Sequence, residues 1–109
     1  MATSDAPVAD TLMAMTATSL ELSELSAREL MLTRLAALVA VDAQAPSYVM
    51  NAGAAMDAGV TLEDVQGLLV AVAPIVGTAR VFSATVNIAK GIGFAVELLE
   101  DSLEADELA

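Results

Sequence analysis

Apolar residues recur at helical spacing along most of the chain, and no Asn-Gly or Asp-Gly pair marks a hairpin between alternating apolar runs. This pattern predicts an all-α protein with about five helices. The first helix is expected from about Val8 to Ser19, with Asp5 or Asp10 near its start. Its apolar side is expected to consist of Leu12, Met13, Met15 and Leu20.

A capping box marks the start of the second helix. Ser26 stands three residues before Glu29, so its hydroxyl can accept the Glu29 amide while the Glu29 carboxylate reaches back to the Ser26 amide. We expect this helix to run to about Asp42. Apolar residues cover most of its circumference, which is typical of a helix that is buried on several sides. The main stripe consists of Leu30, Met31, Leu35, Leu38 and Val39.

Proline, glycine and threonine mark the next two helices. Pro46 fits the first turn of a third helix, and Gly59 fits the left-handed residue after its end. Thr61 is a suitable N-cap for a fourth helix, whose first turn is acidic. Pro74 is expected to interrupt this helix, and the chain is expected to restart after Gly77.

A long final helix is predicted from a cap at Thr78 to at least Leu99. Its polar residues form one narrow stripe, Arg80, Ser83, Asn87 and Lys90. The rest of its surface is apolar, more than one small domain buries, so we expect a subunit contact. The interface candidates are Met50, Met56, Val81, Phe82 and Val86. Gly91 and Gly93 are expected to permit close packing or a kink, because Gly-Ile-Gly without a preceding strand is no dinucleotide fingerprint.

The composition is that of one small domain with a surplus of apolar residues. The chain has 109 residues, of which 57% are apolar and 3% aromatic, and we expect a single domain over residues 1–109. Its mean hydropathy of +0.69 is high for a monomer that must present a polar exterior. Part of the apolar surface is therefore expected to face other copies of the chain.

The formal net charge of −11 argues against nucleic acid and anionic membranes as partners. The acidic segment 97–109 is expected to be a solubilising tail. The uncharged stretches 43–56 and 65–79 are shorter than the roughly 20 residues of a membrane span, and the first residues show no signal-peptide pattern. We expect a cytoplasmic protein.

The sequence contains neither cysteine nor histidine. Disulfides, thiolate chemistry and imidazole catalysis are therefore excluded. Carboxylate catalysis by Glu29, Glu63 or Asp64 is conceivable, but helix capping accounts for all three residues. We expect no metal site and no cofactor.

Four motifs follow the pattern of a known family. They are Ser-Ala-Arg-Glu-Leu at 26–30, Asn-Ala-Gly-Ala-Ala-Met-Asp-Ala-Gly-Val-Thr-Leu-Glu-Asp-Val at 51–65, Ile-Val-Gly-Thr-Ala at 75–79 and Ser-Ala-Thr-Val-Asn-Ile-Ala at 83–89. Through them, the segment 26–94 resembles the carboxymuconolactone decarboxylase and alkylhydroperoxidase D family. The hairpin at 51–65 is the most specific of the four. The resemblance implies an alkylhydroperoxidase D-like helical bundle that assembles into a homo-oligomer.

The resemblance also implies where the family's chemistry would lie. The family's enzymes typically carry a histidine eight residues before the hairpin glycine, at Asn51 here, and the Cys-x-x-Cys pair of the alkylhydroperoxidase branch falls on Gln44 and Ser47. An amide does not titrate near neutral pH, and a serine without a base is a poor nucleophile. We expect these three residues, with Tyr48 nearby, to form a polar strip. This strip either binds a small polar ligand between subunits or only hydrogen-bonds backbone and water.

The leading interpretation is a non-catalytic, or not conventionally catalytic, subunit of a homo-oligomer, either a trimer or a dimer-based hexamer. Its rival is a divergent decarboxylase, peroxidase or related lyase that uses carboxylates or a bound cofactor. A third interpretation is an engineered component of a designed assembly on this oligomeric fold, with a second protein chain as partner. Activity measurements on the wild type and Asn51→Ala separate the first two, and light scattering with candidate partner chains tests the third.

Overall fold

The computed structural model describes residues 6–92, and the regular elements of this part of the chain are all helices, without a strand. Helix α1 spans Pro7–Leu22, α2 spans Ala27–Ala40, α3 spans Ala45–Asp57 and α4 spans Leu62–Val76. A fifth helix, α5, begins at residue 78 and continues to residue 92. The prediction of an all-α protein with about five helices is confirmed. The predicted end of α5 beyond Leu99, Gly93 and the acidic tail lie outside the described residues.

Two reciprocal capping boxes fix the starts of α2 and α4. Ser26 Oγ accepts the Glu29 amide at 3.1 Å, and Glu29 Oε1 accepts the Ser26 amide at 3.0 Å. These bonds lower the pKa of Glu29, the Ser26 backbone amide contributing most. Thr61 and Asp64 repeat the arrangement at α4, with distances of 3.1 and 2.8 Å. The predicted caps at Ser26 and Thr61 are confirmed, and each satisfies amides that the first helical turn leaves without partners.

Several predicted helix ends were wrong. Pro74 does not interrupt α4, which continues to Val76. A proline removes one amide donor, and the carbonyl it would have bonded belongs to Val70, a residue that is 74% exposed, where water can replace the lost bond. The break comes at Gly77, which has a φ of +88°. Gly77, not Thr78, is the cap of α5, because its carbonyl accepts the Val81 amide at 3.2 Å.

The helix ends around α1, α2 and α3 follow local backbone geometry. Helix α1 is longer at both ends than the predicted 8–19. Helix α2 ends at Ala40, not at Asp42, because Asp42 has a φ of +55°, which a right-handed helix cannot contain. The left-handed residue predicted after α3 is confirmed at Gly59, with a φ of +80°.

The core is built around α2, which packs against α3 and α4. Helices α2 to α5 supply its buried apolar residues: Leu30, Met31, Leu35, Val39, Tyr48, Ala55, Val65, Ala84 and Ile88. Helix α5 approaches α3 closely at Gly91, where an added Cβ would stand 3.1 Å from Tyr48 Cβ. The expected close packing is therefore found at Gly91. No residue of α1 is buried.

An ion pair connects the first turns of α2 and α4. Arg28 holds both carboxylate oxygens of Asp64, at 2.5 and 2.6 Å, and also donates to the Gly59 carbonyl at 3.1 Å. Asp64 thus joins its own capping box to a neighbouring helix. The Arg28 hydrogen bonds, and then the Thr61 amide, hold the pKa of Asp64 well below its usual range. Asp64, which the sequence analysis explains as a capping residue, therefore also makes a tertiary contact between α2 and α4.

We predict that replacing Asp64 by Asn changes the pH dependence of stability. The pKa of an aspartate in an unfolded chain is about 3.9. Because the pKa of Asp64 is lowered in the folded state, its stabilising contribution is present above that pH and is lost as the pH falls below it. The difference in unfolding free energy between wild type and Asp64→Asn should therefore shrink below about pH 4. Urea unfolding at a series of pH values measures it.

The control is Glu63→Gln, which removes the neighbouring charge and leaves the Arg28–Asp64 pair intact. The difference in unfolding free energy between Glu63→Gln and the wild type should not shrink comparably at low pH. A difference for Asp64→Asn that stayed constant down to pH 3 would contradict the role of the ion pair.

Candidate functional site

The site region begins at the connection between α2 and α3, residues 41–44, which makes a tight turn. The Asp42 amide donates to the Val39 carbonyl at 3.1 Å, and the Ala43 amide donates to the Leu38 carbonyl at 2.9 Å. Asp42 takes the left-handed conformation that such a helix end requires and that aspartate tolerates better than most residues. The turn directs the chain into α3 within four residues.

Polar side chains of α5 hold this connection in place. Arg80 donates to the Ala40 carbonyl, and Ser83 Oγ donates to Asp42 Oδ1 at 2.6 Å. The sequence marks these residues as part of a narrow polar stripe on an apolar helix. The stripe faces the α2–α3 connection and binds its backbone and side chains, which fixes where α3 begins.

Asn87, one turn further along α5, acts as the N-terminal cap of α3. Gln44 occupies the cap position but makes no side-chain capping bond. Instead, Asn87 Oδ1 accepts the Ala45 amide at 3.1 Å, while its Nδ2 donates to the Ser83 carbonyl at 3.0 Å. Asn87 is 9% exposed, and both ends of its amide are satisfied. A residue 42 positions away thus replaces the usual local cap.

The structure places Gln44, Ser47 and Asn51 along one side of the start of α3. Gln44 is exposed, and Ser47 and Asn51 are half-buried. Asn51 Nδ2 donates to the Ser47 carbonyl at 2.8 Å, a bond within the same helix. The positions that resemble the family's catalytic residues therefore lie together. Their observed bonds are those of ordinary helix residues.

Tyr48 does not join this strip, which corrects the expected grouping. It is 4% exposed and lies in the core, about 100° around α3 from Ser47. Its ring forms part of the wall of an apolar cavity, and its hydroxyl has no hydrogen-bond partner within residues 6–92. Burial raises the pKa of the Tyr48 hydroxyl, and the Asp42 carboxylate raises it further, so the hydroxyl stays protonated.

The cavity has a volume of about 210 Å³ and opens between α3 and α4. Its wall comes from α2, α3, α4 and α5 and includes Leu35, Tyr48, Ala52, Ala55, Val65 and Ile88. Within the described part of the chain, no three acidic residues lie close enough to hold a metal ion, and no helix is long and apolar enough to cross a membrane. The wall of this cavity is thus apolar, and Gln44, Ser47 and Asn51 are not part of it.

Sequence reasoning missed the cavity and the capping role of Asn87. Ala52, Ala55 and Ile88 read as ordinary helix residues, because a cavity wall is distinguished only by what it faces. Asn87 gave one signal, since a polar residue in an apolar helix needs a partner when it is buried. The partner, the Ala45 amide, was not identifiable from the sequence.

Helices α3 and α4 form a helical hairpin, with Gly59 and the Thr61 capping box in the connection. The chain is therefore an all-helical protein that contains a helical hairpin. The model of the carboxymuconolactone decarboxylase family matches residues 6–91, most of the chain. The protein belongs to this family, and the resemblance seen in the motifs is confirmed. No curated protein and no solved structure matches the chain.

We predict that two asparagines differ sharply in their contribution to stability. Asn87→Ala leaves the Ala45 amide without its partner in a half-buried position, which should lower the free energy of unfolding by about 1–3 kcal/mol. Asn51→Ala is the matched control, because it removes a bond within one helix and introduces the better helix former. Its effect should stay below about 1 kcal/mol. Equal losses in urea unfolding would contradict this assignment.

Proposed function

We propose that this protein is a homo-oligomeric member of the carboxymuconolactone decarboxylase family, a trimer or a dimer-based hexamer, that does not use the thiol and imidazole chemistry of the family's enzymes. The observation that carries the proposal is α1, a helix of 16 residues none of which is buried. A helix of this length is marginal on its own in water. Helix α1 therefore needs a partner surface.

The apolar residues of α1 define the surface that would meet the partner. Val8, Leu12, Met15 and Leu22 are separated by four, three and seven residues, which places them on one face. All four are more than half exposed, between 55% and 75%. A hydrogen bond from Arg34 to Ser19, which lies on the same face, attaches α1 to α2 at 3.1 Å, and the four apolar side chains remain exposed.

The distribution of charge on α1 is compatible with a second copy of the chain as the partner. Each chain carries a net charge of −11, so copies repel unless they meet through uncharged surfaces. The apolar face of α1 contains no charged residue, and Asp10 and Glu21 lie on the opposite side of the helix. An uncharged face of this kind suits the self-complementary contact of a symmetric oligomer.

Exposed apolar side chains outside α1 would supply a second contact. Met50 and Phe82 are 83% and 73% exposed, Met56 and Val86 are exposed, and Val81 is half-buried. These interface candidates chosen from the sequence belong to α3 and α5. Apolar residues exposed on three helices are compatible with an assembly larger than a dimer.

The residues at the family's catalytic positions support the chemical part of the proposal. Gln44, Ser47 and Asn51 offer no thiol, and the chain has no histidine to act as a base. The Asn51 amide is already bonded to the Ser47 carbonyl. Serine without an adjacent base is a weak nucleophile.

We predict that Leu12→Glu lowers the mass of the assembly that the protein forms in solution. A carboxylate in the centre of an apolar contact would be desolvated without a partner, and it would add repulsion between acidic chains. Because Leu12 is exposed in the single chain, the substitution leaves the core intact. Light scattering coupled to size exclusion at low micromolar concentration measures the mass, and Phe82→Asp applies the same test to the second surface.

The matched control is Ala14→Glu, which introduces the same charge on the same helix, on the side shared with Asp10 and Glu21. It should leave the mass unchanged. A wild-type protein that is a stable, well-folded monomer would overturn the oligomer.

We further predict no turnover with organic peroxides plus a thiol reductant, or with carboxylated lactones. A coupled spectrophotometric assay would detect either reaction. Turnover by the wild type that is lost in Asn51→Ala would show that these positions are catalytic, and the chemical part of the proposal would then be wrong. Asn51→Ala suits the comparison because its bond is local to α3.

A further inference from the structure

The cavity between α3 and α4 forms an apolar groove at the surface of the chain. Met56, near the end of α3, and Leu62, at the start of α4, line it and are 60% and 62% exposed. Leu35, Val65 and Ile88 also line it and are buried. Met56 is one of the interface candidates on α3 and α5, so this α3–α4 groove is continuous with the surface that would supply the second subunit contact.

The volume of the α3–α4 groove suits the side chains of a helix. An apolar cavity of roughly 150 Å³ in another protein holds benzene, so the 210 Å³ here would accommodate about one or two aliphatic side chains. Amphipathic helices bind apolar grooves through side chains at spacings such as i, i+4 and i+7. Val8, Leu12 and Met15 of α1 have this spacing, and each is more than half exposed. Helix α1 therefore has the pattern of a groove-binding helix.

Within one chain, α1 and the α3–α4 groove do not meet. Among the described residues, those that line the groove belong to other parts of the chain than α1, and no residue of α1 is buried. Arg34 attaches α1 to α2 at Ser19, in the last turn of α1. Both the apolar face of α1 and the groove are thus open in the single chain, and a second copy offers the complement of each.

The charges of the chain are compatible with a contact between these two surfaces. Within residues 6–92, no acidic or basic side chain lines the groove, and the face of α1 that contains Leu12 has none either. Copies with a net charge of −11 can therefore meet here without bringing carboxylates together. The Leu12 side chain would leave water for apolar surroundings, which is favourable.

We propose that α1 of one copy lies in the α3–α4 groove of a second copy, with Leu12 as the central side chain between Met56 and Leu62. The inference rests on the proposed homo-oligomer and specifies its contact. Because the contact joins two unlike surfaces, each copy donates one helix and receives another. Two copies can do so reciprocally, and three or more can do so around a ring.

Chemical cross-linking of the full chain tests this pairing, because the sequence contains no cysteine. A short bismaleimide is applied to the double variant Leu12→Cys/Met56→Cys, since it tolerates a wider separation than a disulfide, which requires Cα atoms within about 7 Å. Covalent multimers should form and persist on a denaturing gel. Each single variant should give only monomer on that gel. The control Ala14→Cys/Met56→Cys should do the same, because Ala14 lies on the side of α1 shared with Asp10.

The outcomes distinguish this contact from the oligomer itself. An oligomeric wild type in light scattering, combined with no covalent multimer from Leu12→Cys/Met56→Cys, would overturn the contact and leave the oligomer. Multimers from Leu12→Cys alone would show that α1 pairs with α1 and would also overturn it. A cross-link in Met56→Cys/Val96→Cys that replaces the one to position 12 would overturn it as well, because residues 93–109 would then fill the groove. A monomeric wild type would overturn both proposals.

Filling the groove provides an independent test. Ala52→Leu enlarges a side chain of the groove wall, so it should weaken association of the copies at least tenfold. Ala54→Leu, which is exposed on the same helix and outside the wall, should leave association unchanged. Light scattering over a dilution series measures association, and urea unfolding verifies that each variant is folded. Equal association of two folded variants would overturn the proposal, and the cross-linking result decides if Ala52→Leu is unfolded.

Discussion

The position of α3 depends on the polar side chains of α5 that hold the α2–α3 connection. Asn87 accepts the first amide of α3, and Ser83 bonds Asp42, the left-handed residue that ends α2. The cap of α3 therefore comes from a distant helix, because Gln44 makes no capping bond. The part-buried Ala45 amide thereby gains a partner, which ties the first turn of α3 to α5.

The orientation of α3 places its polar residues and its buried tyrosine on different sides of the helix. One side of α3 carries the polar residues Gln44, Ser47 and Asn51, which are exposed or half-buried. Tyr48 lies on a different side of the helix and is buried in the core. The positions that resemble the family's reactive residues carry none of its reactive groups, and the concave space next to them is apolar.

Helix α1 favours association of the chains, whereas their net charge opposes it. No residue of the 16-residue helix α1 is buried, and a helix of this length is marginal on its own in water, whereas a charge of −11 on each chain makes contact between copies unfavourable except through uncharged faces. The face that contains Leu12 and Met15 meets both conditions. The proposed oligomer therefore rests on α1, and the net charge restricts which faces of the chain can meet.

The sequence by itself determined the features that depend on residues three or four apart: the capping boxes at Ser26 and Thr61, the left-handed Gly59 and the helical class. It also determined the absence of thiol and imidazole chemistry, which is a matter of composition. Only the tertiary structure decided that Asn87 caps α3 and that Tyr48 lines a cavity. Such roles join residues about 40 positions apart, and the packing of whole helices sets them, not the pattern along any one helix.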